Sequence, residues 1–294
     1  MRSPNSTAAT AAMAPLPAEA ALPAAPLHPL RNRILSALVL APLALGLVAL
    51  GGLVFALWIA LAAALMAREW ARMTAADRVG AAGLVVGAGA VAGIGATAAG
   101  IAPWQSGLGL LAGVALIYGL ARGDGVEAPG WLAAGLLAIG VPCLAFVWLR
   151  DQPVGGRSMI FWLLAVVWAT DIGAYAVGRS LGGPRLAPRI SPNKTWAGLL
   201  GGVVCAALVS GLVAALLDGA GLVVAALIGG GLAVVAQAGD LGESLVKRRF
   251  GVKDTGALIP GHGGLLDRVD GLLATTPIVA LLVWLKGGSL VGWS

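Results

Sequence analysis

The charged side chains of this sequence are concentrated in one segment, residues 244–270, which reads SLVKRRFGVKDTGALIPGHGGLLDRVD. Charged residues make up 11% of the 294 positions overall. Ionisable groups beside apolar segments are costly to place near a bilayer and usually have a function there. The segment is therefore the first candidate for an active site at a membrane surface. Its charged members are Lys247, Arg248, Arg249, Lys253, Asp254, Asp267, Arg268 and Asp270.

Two pairs of acidic residues flank the basic part of this region. Asp240 and Glu243 precede it, and Asp267 and Asp270 follow it, each pair at i, i+3. Residues at that spacing share one face of a helix, provided that the helices continue past the membrane boundary. Converging carboxylates suit Mg²⁺, which prefers oxygen ligands and completes its shell with water and substrate phosphate. The alternative is that these acids neutralise neighbouring Lys and Arg side chains.

A second polar cluster lies in residues 168–198. Asp171 stands inside the apolar run 158–178, where a carboxylate normally faces a partner, an ion or a wet cavity. Pairing with an Arg is the structural alternative. The basic residues that follow are Arg179, Arg185, Arg189 and Lys194.

We expect Ser191, Pro192 and Thr195 to begin the next helix, whose N-terminus would bind phosphate. No Gly precedes Lys194 and we expect no strand here, so a P-loop is excluded.

His262 lies between Gly261 and the pair Gly263-Gly264. Glycines permit positive φ and close backbone approach, so we expect this turn to contact phosphate. A general-base role for His262 is the alternative.

These motifs resemble the signature of the phosphatidate cytidylyltransferases (CDP-diacylglycerol synthases). The matching pattern is Ser-x-x-Lys-Arg, then Lys-Asp, then Pro-x-His-Gly-Gly-x-x-Asp-Arg-x-Asp, with fixed gaps over residues 244–270. The second cluster is also similar to the family at Asp171, Ala174, Tyr175, Gly178, Ser191, Pro192, Lys194 and Thr195. It departs at Ala197, where the family often has Glu or Gln.

The resemblance implies that CTP and phosphatidate react to give CDP-diacylglycerol and pyrophosphate. It places the metal aspartates at Asp240 and Asp267, and implies Mg²⁺, a second, monovalent cation and a homodimer. We expect catalytic roles for Asp240, Lys247 and Asp267, with Glu243 and Asp270 as further metal ligands. The expected substrate-binding residues are Asp171, Ser191, Lys194, Thr195, Ser244, Arg248, Lys253, His262, Gly263, Gly264 and Arg268.

The composition is that of an integral membrane protein, because 59% of the residues are apolar and the mean hydropathy is +0.92. We expect an all-α polytopic bundle over residues 31–294, preceded by a disordered Ala/Pro-rich tail, residues 1–30. Cys143 and Cys205 lie in apolar runs and have no metal-like spacing. The net charge of +6 is interpreted as a topology signal and an attraction to anionic lipid, not as nucleic-acid binding.

Uncharged runs predict about nine spans. Two long runs are each divided in two, 34–67 at Gly51-Gly52 and 79–121 at Pro103-Trp104-Gln105. The remaining runs are 130–149, 158–178, 196–217, 219–238 and 271–285.

Basic residues then predict the orientation. With the N-terminus inside, only Arg150, Arg157 and Lys286 of 19 basic residues fall outside. We therefore expect a multi-pass protein of the bacterial cytoplasmic (inner) membrane whose active-site loops face the cytoplasm.

The sequence is also compatible with two other functions. A related CTP-dependent enzyme acting on another lipid acceptor, such as a CDP-archaeol synthase or a lipid kinase, would need the same kinds of side chains in its site. A transporter using Asp171 and the Gly-rich helices would belong to another class, and it leaves the spacing of residues 244–270 unexplained.

Overall fold

The computed structural model describes residues 29–75, 81–216, 221–258, 263–288 and 290. The predicted tail, residues 1–30, lies almost wholly outside this part of the chain, and so does His262. Nine helices and one two-stranded sheet occur in the described ranges. In chain order they are α1 (Pro29–Leu50), α2 (Gly52–Ala75), α3 (Ala81–Ala98), α4 (Pro103–Gly123), α5 (Pro129–Arg150), α6 (Gly156–Leu181), β1 (Arg185–Ala187), β2 (Ser191–Thr195), α7 (Trp196–Leu216), α8 (Leu222–Arg249) and α9 (Leu266–Lys286).

The helices confirm the predicted multi-pass membrane architecture. Each of the nine predicted spans coincides with one helix. Seven of the described helices are long and apolar enough to cross a membrane by length and composition. The apolar parts of the other two are shorter, Leu38–Leu50 in α1 and Gly83–Ala98 in α3.

The breaks between helices lie where glycine and proline predict them. Gly51 and Gly52 both have positive φ, 67° and 54°, a conformation that ends α1 and that other residues rarely adopt. Pro103 stands in the first turn of α4, where its missing N–H has no intrahelical partner to lose.

Helix α5 lies at the centre of the bundle, since 67% of its apolar 18-residue stretch is buried. It packs against α2, α3, α4 and α9. Its buried side chains, among them Leu132, Leu136 and Ile139, form the core together with Phe55 of α2 and Trp162 of α6. Apolar side chains facing outward are numerous on α7 and α8, as expected of lipid-facing surfaces.

The expectation that Ser191 would open a helix is wrong, because residues 191–195 form strand β2. This strand pairs with β1 in an antiparallel hairpin, with Arg185 opposite Thr195. Proline disfavours the helical conformation for the residue before it, and Pro192 therefore holds Ser191 extended. The Thr195 hydroxyl accepts a hydrogen bond from the Gly198 N–H at 3.0 Å, so this residue caps α7. The helix consequently begins at Trp196, directly after the strand.

The last two helices are longer than the apolar runs predict. Helix α8 continues beyond residue 238 to Arg249, and α9 begins at Leu266 instead of residue 271. The two helices approach closely at Gly239, where a Cβ would press against Ala274 and lie 3.0 Å from the Asp270 carbonyl oxygen. Both acidic pairs therefore lie on helices, as the i, i+3 spacing predicts: Asp240 and Glu243 in the C-terminal half of α8, and Asp267 and Asp270 near the start of α9.

The structure places the hairpin and the end of α8 on the same side of the bundle, since Arg248 Nε donates to the Ile190 carbonyl at 3.5 Å.

We predict that this side faces the cytoplasm and that the connection between α5 and α6 faces outward. Single cysteines at Ser180, Arg249 and Val154, in a background lacking Cys143 and Cys205, test this prediction. In intact cells an impermeant maleimide should label only Val154→Cys. Labelling of Arg249→Cys before the cells are opened would contradict this orientation.

Candidate functional site

Two ion pairs join the elements that carry the charged residues. Lys194 Nζ lies 2.6 Å from Asp240 Oδ2 and connects strand β2 to α8. Lys247 Nζ lies 2.7 Å from Asp267 Oδ1 and connects α8 to α9. Both pairs are residues that the sequence predicts to be functional, and the structure brings them to one side of the bundle.

Four donors lie within hydrogen-bonding distance of the Asp267 carboxylate. Its Oδ2 accepts the backbone N–H groups of Thr255 and Gly264, both at 2.9 Å, and lies 3.1 Å from the Thr255 hydroxyl. Its Oδ1 accepts from Lys247. Because only 5% of the side chain is exposed, these contacts fix the carboxylate in one orientation.

Four further carboxylates form a chain of electrostatic neighbours beside Asp267. Asp171 on α6 lies within electrostatic range of Asp240 and Asp270, and Glu243 lies within range of Asp270 and Asp267. Lys194, Lys247 and Arg268 supply the compensating positive charge. Asp171 is exposed on α6, with Lys194 and Arg268 within electrostatic range.

The donor set fits a hard divalent cation that also binds substrate. In the described ranges no three Asp, Glu, His or Cys side chains are close enough to bind one ion by themselves. Mg²⁺ needs only one or two carboxylates when water and phosphate fill the other positions. Both Glu243 oxygens are buried without a hydrogen bond from the described residues, although Lys247 Nζ lies 3.3 Å from Oε1. The Asp240 side chain is 41% exposed and therefore accessible to such an ion.

The predicted substrate-binding residues differ in exposure and in the hydrogen bonds that they already make. Arg248 and Lys253 are exposed. Ser244 Oγ donates to Asp240 Oδ1 at 3.4 Å, and Ser191 is half-buried in β2. Thr195 is buried, and its hydroxyl accepts the Gly198 N–H in capping α7.

Glu69 is a residue of this site that sequence analysis missed. It lies on α2, is 7% exposed, and accepts the N–H groups of Leu265 at 2.8 Å and Leu266 at 2.9 Å. Little in the sequence pointed to this role, because Glu69 lies just past the apolar run 34–67 and next to Arg68, where an acid is ordinary. Its partners Leu265 and Leu266 could not be predicted, since they lie almost two hundred residues away in sequence.

Glycine is required at position 264 because of this contact. A Cβ at Gly264 would collide with the Thr255 hydroxyl and lie 2.8 Å from Glu69 Oε2 and 2.9 Å from the Gly256 nitrogen. The Gly264 N–H, which we expected to face phosphate, is bonded to Asp267. Gly263 has a φ of +84° and allows the chain to turn into α9.

A large apolar cavity of about 1030 Å³ opens between α1, α2, α5, α6 and α9. Its walls include Leu61, Leu65, Phe146 and Leu272. Among its described lining residues, Arg268 is the one that carries a charge. The same Arg268 lies within electrostatic range of Asp171, so the cavity ends at the charged cluster.

Comparison with known proteins agrees with this arrangement. A model of the cytidylyltransferase family matches residues 31–286, which include every helix that carries the site. The chain belongs to the cytidylyltransferase family. It is 43% identical over 253 residues to the phosphatidate cytidylyltransferase of Brucella suis biovar 1 (strain 1330), covering 86% of this chain and 92% of that protein. It is 38% identical over 277 residues to the phosphatidate cytidylyltransferase of Pseudomonas aeruginosa, covering 88% of this chain and 98% of that protein.

We predict that Gly264→Ala destabilises this cytidylyltransferase-family protein by about 1–3 kcal/mol, the usual cost of overpacking. The added methyl group must displace Thr255 or Glu69, so activity should fall as well. The matched control is Gly242→Ala in α8, where a Cβ has no neighbour within 4 Å. Thermal unfolding in detergent measures both variants, and equal midpoints for the two would contradict the packing described here.

Proposed function

We propose that this protein is a phosphatidate cytidylyltransferase, which converts CTP and phosphatidate to CDP-diacylglycerol and pyrophosphate. The observation that carries the proposal is the position of Arg268. This side chain lines an apolar cavity and also lies within electrostatic range of the acidic cluster. A substrate with acyl chains and a phosphate would satisfy both surroundings at once.

The cavity suits the lipid substrate. Its volume of about 1030 Å³ and its apolar walls can accommodate acyl chains, whose burial is favourable in proportion to their apolar area. The Arg268 guanidinium can donate two parallel hydrogen bonds to a phosphate. The lipid phosphate would therefore be held where the cavity meets the charged cluster.

The basic side chains around the ion pairs suit the triphosphate of CTP. Lys194, Lys247, Arg248 and Lys253 are all on this side of the bundle, the last two exposed. An oxygen of phosphatidate would attack the α-phosphorus of CTP in line and form a new P–O bond. The bond from that phosphorus to the bridging oxygen breaks, and pyrophosphate leaves with the electron pair. Such a transfer depends on positioning and charge neutralisation more than on covalent help.

Mg²⁺ is the proposed cofactor, held by Asp240 and Asp267 with Glu243 and Asp270 as additional ligands. When bound, it supplies positive charge that neutralises the reacting phosphates. The unbonded oxygens of Glu243 and the exposure of Asp240 support this assignment. A second, monovalent cation would occupy the same acidic cluster, which carries more acids than one shared Mg²⁺ needs.

We place the enzyme in the bacterial cytoplasmic membrane, with the site on the cytoplasmic side where CTP is made. The bacterial relatives and the excess of basic residues on the hairpin side support this placement. We also propose a homodimer, for which the exposed apolar faces of α7 and α8 offer a surface.

Pyrophosphate release by the purified protein tests the proposed function. Release should require CTP, phosphatidate and a divalent cation together. Equal turnover with ATP would contradict the cytidylyl assignment. Equal or faster turnover with an archaeol phosphate or a prenol acceptor would transfer the assignment to another lipid substrate.

Asp267→Asn should lower turnover roughly a thousandfold, because one charge is lost where phosphate charge must be neutralised. Asp267 lies in the first turn of α9 and is almost buried, so folding must be measured beside activity. Asp124→Asn, at an exposed acid after α4, is the control and should keep full turnover. Retention of more than about a tenth of the activity by Asp267→Asn would remove this residue from the catalytic site.

Arg268→Gln should raise the KM for phosphatidate at least tenfold while changing the KM for CTP less, since the lipid phosphate loses its charged partner. Arg122→Gln, at an exposed site on α4, is the matched control. Steady-state kinetics in mixed micelles, with each substrate varied in turn, measures both constants. An unchanged lipid KM would separate the cavity from the reaction.

A further inference from the structure

The beginning of α9 is fixed by a carboxylate from a distant helix. The first N–H groups of a helix have no intrahelical acceptor and need another partner. No side chain of Leu265, the residue before α9, can supply one. Glu69 of α2 takes this part, accepting the N–H groups of Leu265 and Leu266 at 2.8 and 2.9 Å. Its negative charge also lies at the positive end of the helix dipole, which stabilises the contact.

The same carboxylate reaches the partners of Asp267. Thr255 Oγ1 lies 3.3 Å from Glu69 Oε2 and 3.1 Å from Asp267 Oδ2. A hydroxyl has one hydrogen to donate, so it serves one of the two carboxylates at a time. Thr255 itself is 7% exposed, and its backbone N–H stays bonded to Asp267. Glu69 and Asp267 therefore both contact the Thr255 side chain, and we call these three residues the Thr255 clamp.

The glycines of the signature adapt the backbone to Glu69. A Cβ at Gly256 would lie 3.0 Å from Glu69 Oε1, and one at Gly264 would lie 2.8 Å from Oε2. The carboxylate thus contacts the signature from both sides. No other acid on α2 is available for this position, because Glu69 is the one acid in that helix.

We propose that Glu69 is a positioning residue for nucleotidyl transfer. It fixes the N-terminus of α9 and the Thr255 clamp, and it thereby sets the orientation of the Asp267 carboxylate toward Lys247 and toward a bound divalent cation. Its kinetic consequence rests on the proposed function, whereas its effect on the backbone does not. Through this contact the N-terminal half of the chain determines the geometry of the site in the C-terminal half.

Glu69→Gln is the decisive variant because it keeps the size of the side chain and removes the charge. We expect turnover to fall ten- to a hundredfold and the Mg²⁺ concentration for half-maximal activity to rise at least threefold. Glu69→Asp retains the charge and should recover part of both. A role confined to folding would lower the number of active molecules and leave the Mg²⁺ dependence unchanged. The control is Thr74→Val in the same helix, whose hydroxyl donates to the Trp70 carbonyl at 2.9 Å.

Hydrogen–deuterium exchange of the metal-free protein gives a readout that needs no activity. Peptides containing Leu265 and Leu266 should exchange faster in Glu69→Gln than in the wild type or Thr74→Val. Faster exchange with an unchanged Mg²⁺ dependence would overturn the positioning role, and unchanged exchange would overturn the contact itself. If the wild type fails to use CTP and phosphatidate, the proposed function falls while the exchange result still decides the contact.

Discussion

Charged groups at the ends of apolar helices must find their partners within the protein, and this constraint shapes the whole site. An unpaired ion in such surroundings costs several kcal/mol, whereas a carboxylate with several donors is tolerated. Asp267 meets the constraint with Lys247 and two backbone N–H groups, and Glu69 meets it with two backbone N–H groups. The Thr255 hydroxyl donates to one of the two carboxylates at a time. Satisfying both requires α2, α8 and α9 to meet at one place. Helices α8 and α9 also approach closely at Gly239.

Some charged groups of the site lack a full set of partners, and the reaction is expected beside them. Asp171 and Asp240 are exposed, the Glu243 oxygens accept no hydrogen bond from described residues, and Arg268 turns toward an apolar cavity. A triphosphate and a cation would complete the charge balance on one side, and a lipid phosphate on the other. The acids of the site thus differ: Asp267 is fixed in orientation by its donors, whereas Asp240 and Glu243 have oxygens that accept few hydrogen bonds.

Local patterns predicted the helices and the acidic pairs but not the contacts between them. The i, i+3 spacing of Asp240 and Glu243 was sufficient to predict a shared helix face, because both residues lie on one helix. Gly51-Gly52 marked a break because backbone conformation is a local property. The hairpin was missed because Ser, Pro and Thr also begin helices, and only pairing with β1 decides between the two. Glu69 and the apolar cavity were missed because both arise from packing between helices far apart in the chain. The roles of the individual site residues, and that of His262, stay predictions.

The central claim is that a lipid phosphate reacts at Arg268 with its acyl chains in the adjoining cavity. Photolabelling in nanodiscs, with a phosphatidate analogue that carries a diazirine in one acyl chain, tests it most directly. Mass spectrometry should find the label on α1, α2 and α9, at cavity residues such as Leu61, Leu65 and Leu272, and excess phosphatidate should suppress it. Labelling confined to the outward faces of α7 and α8, at residues such as Leu208 and Leu227, would contradict the claim.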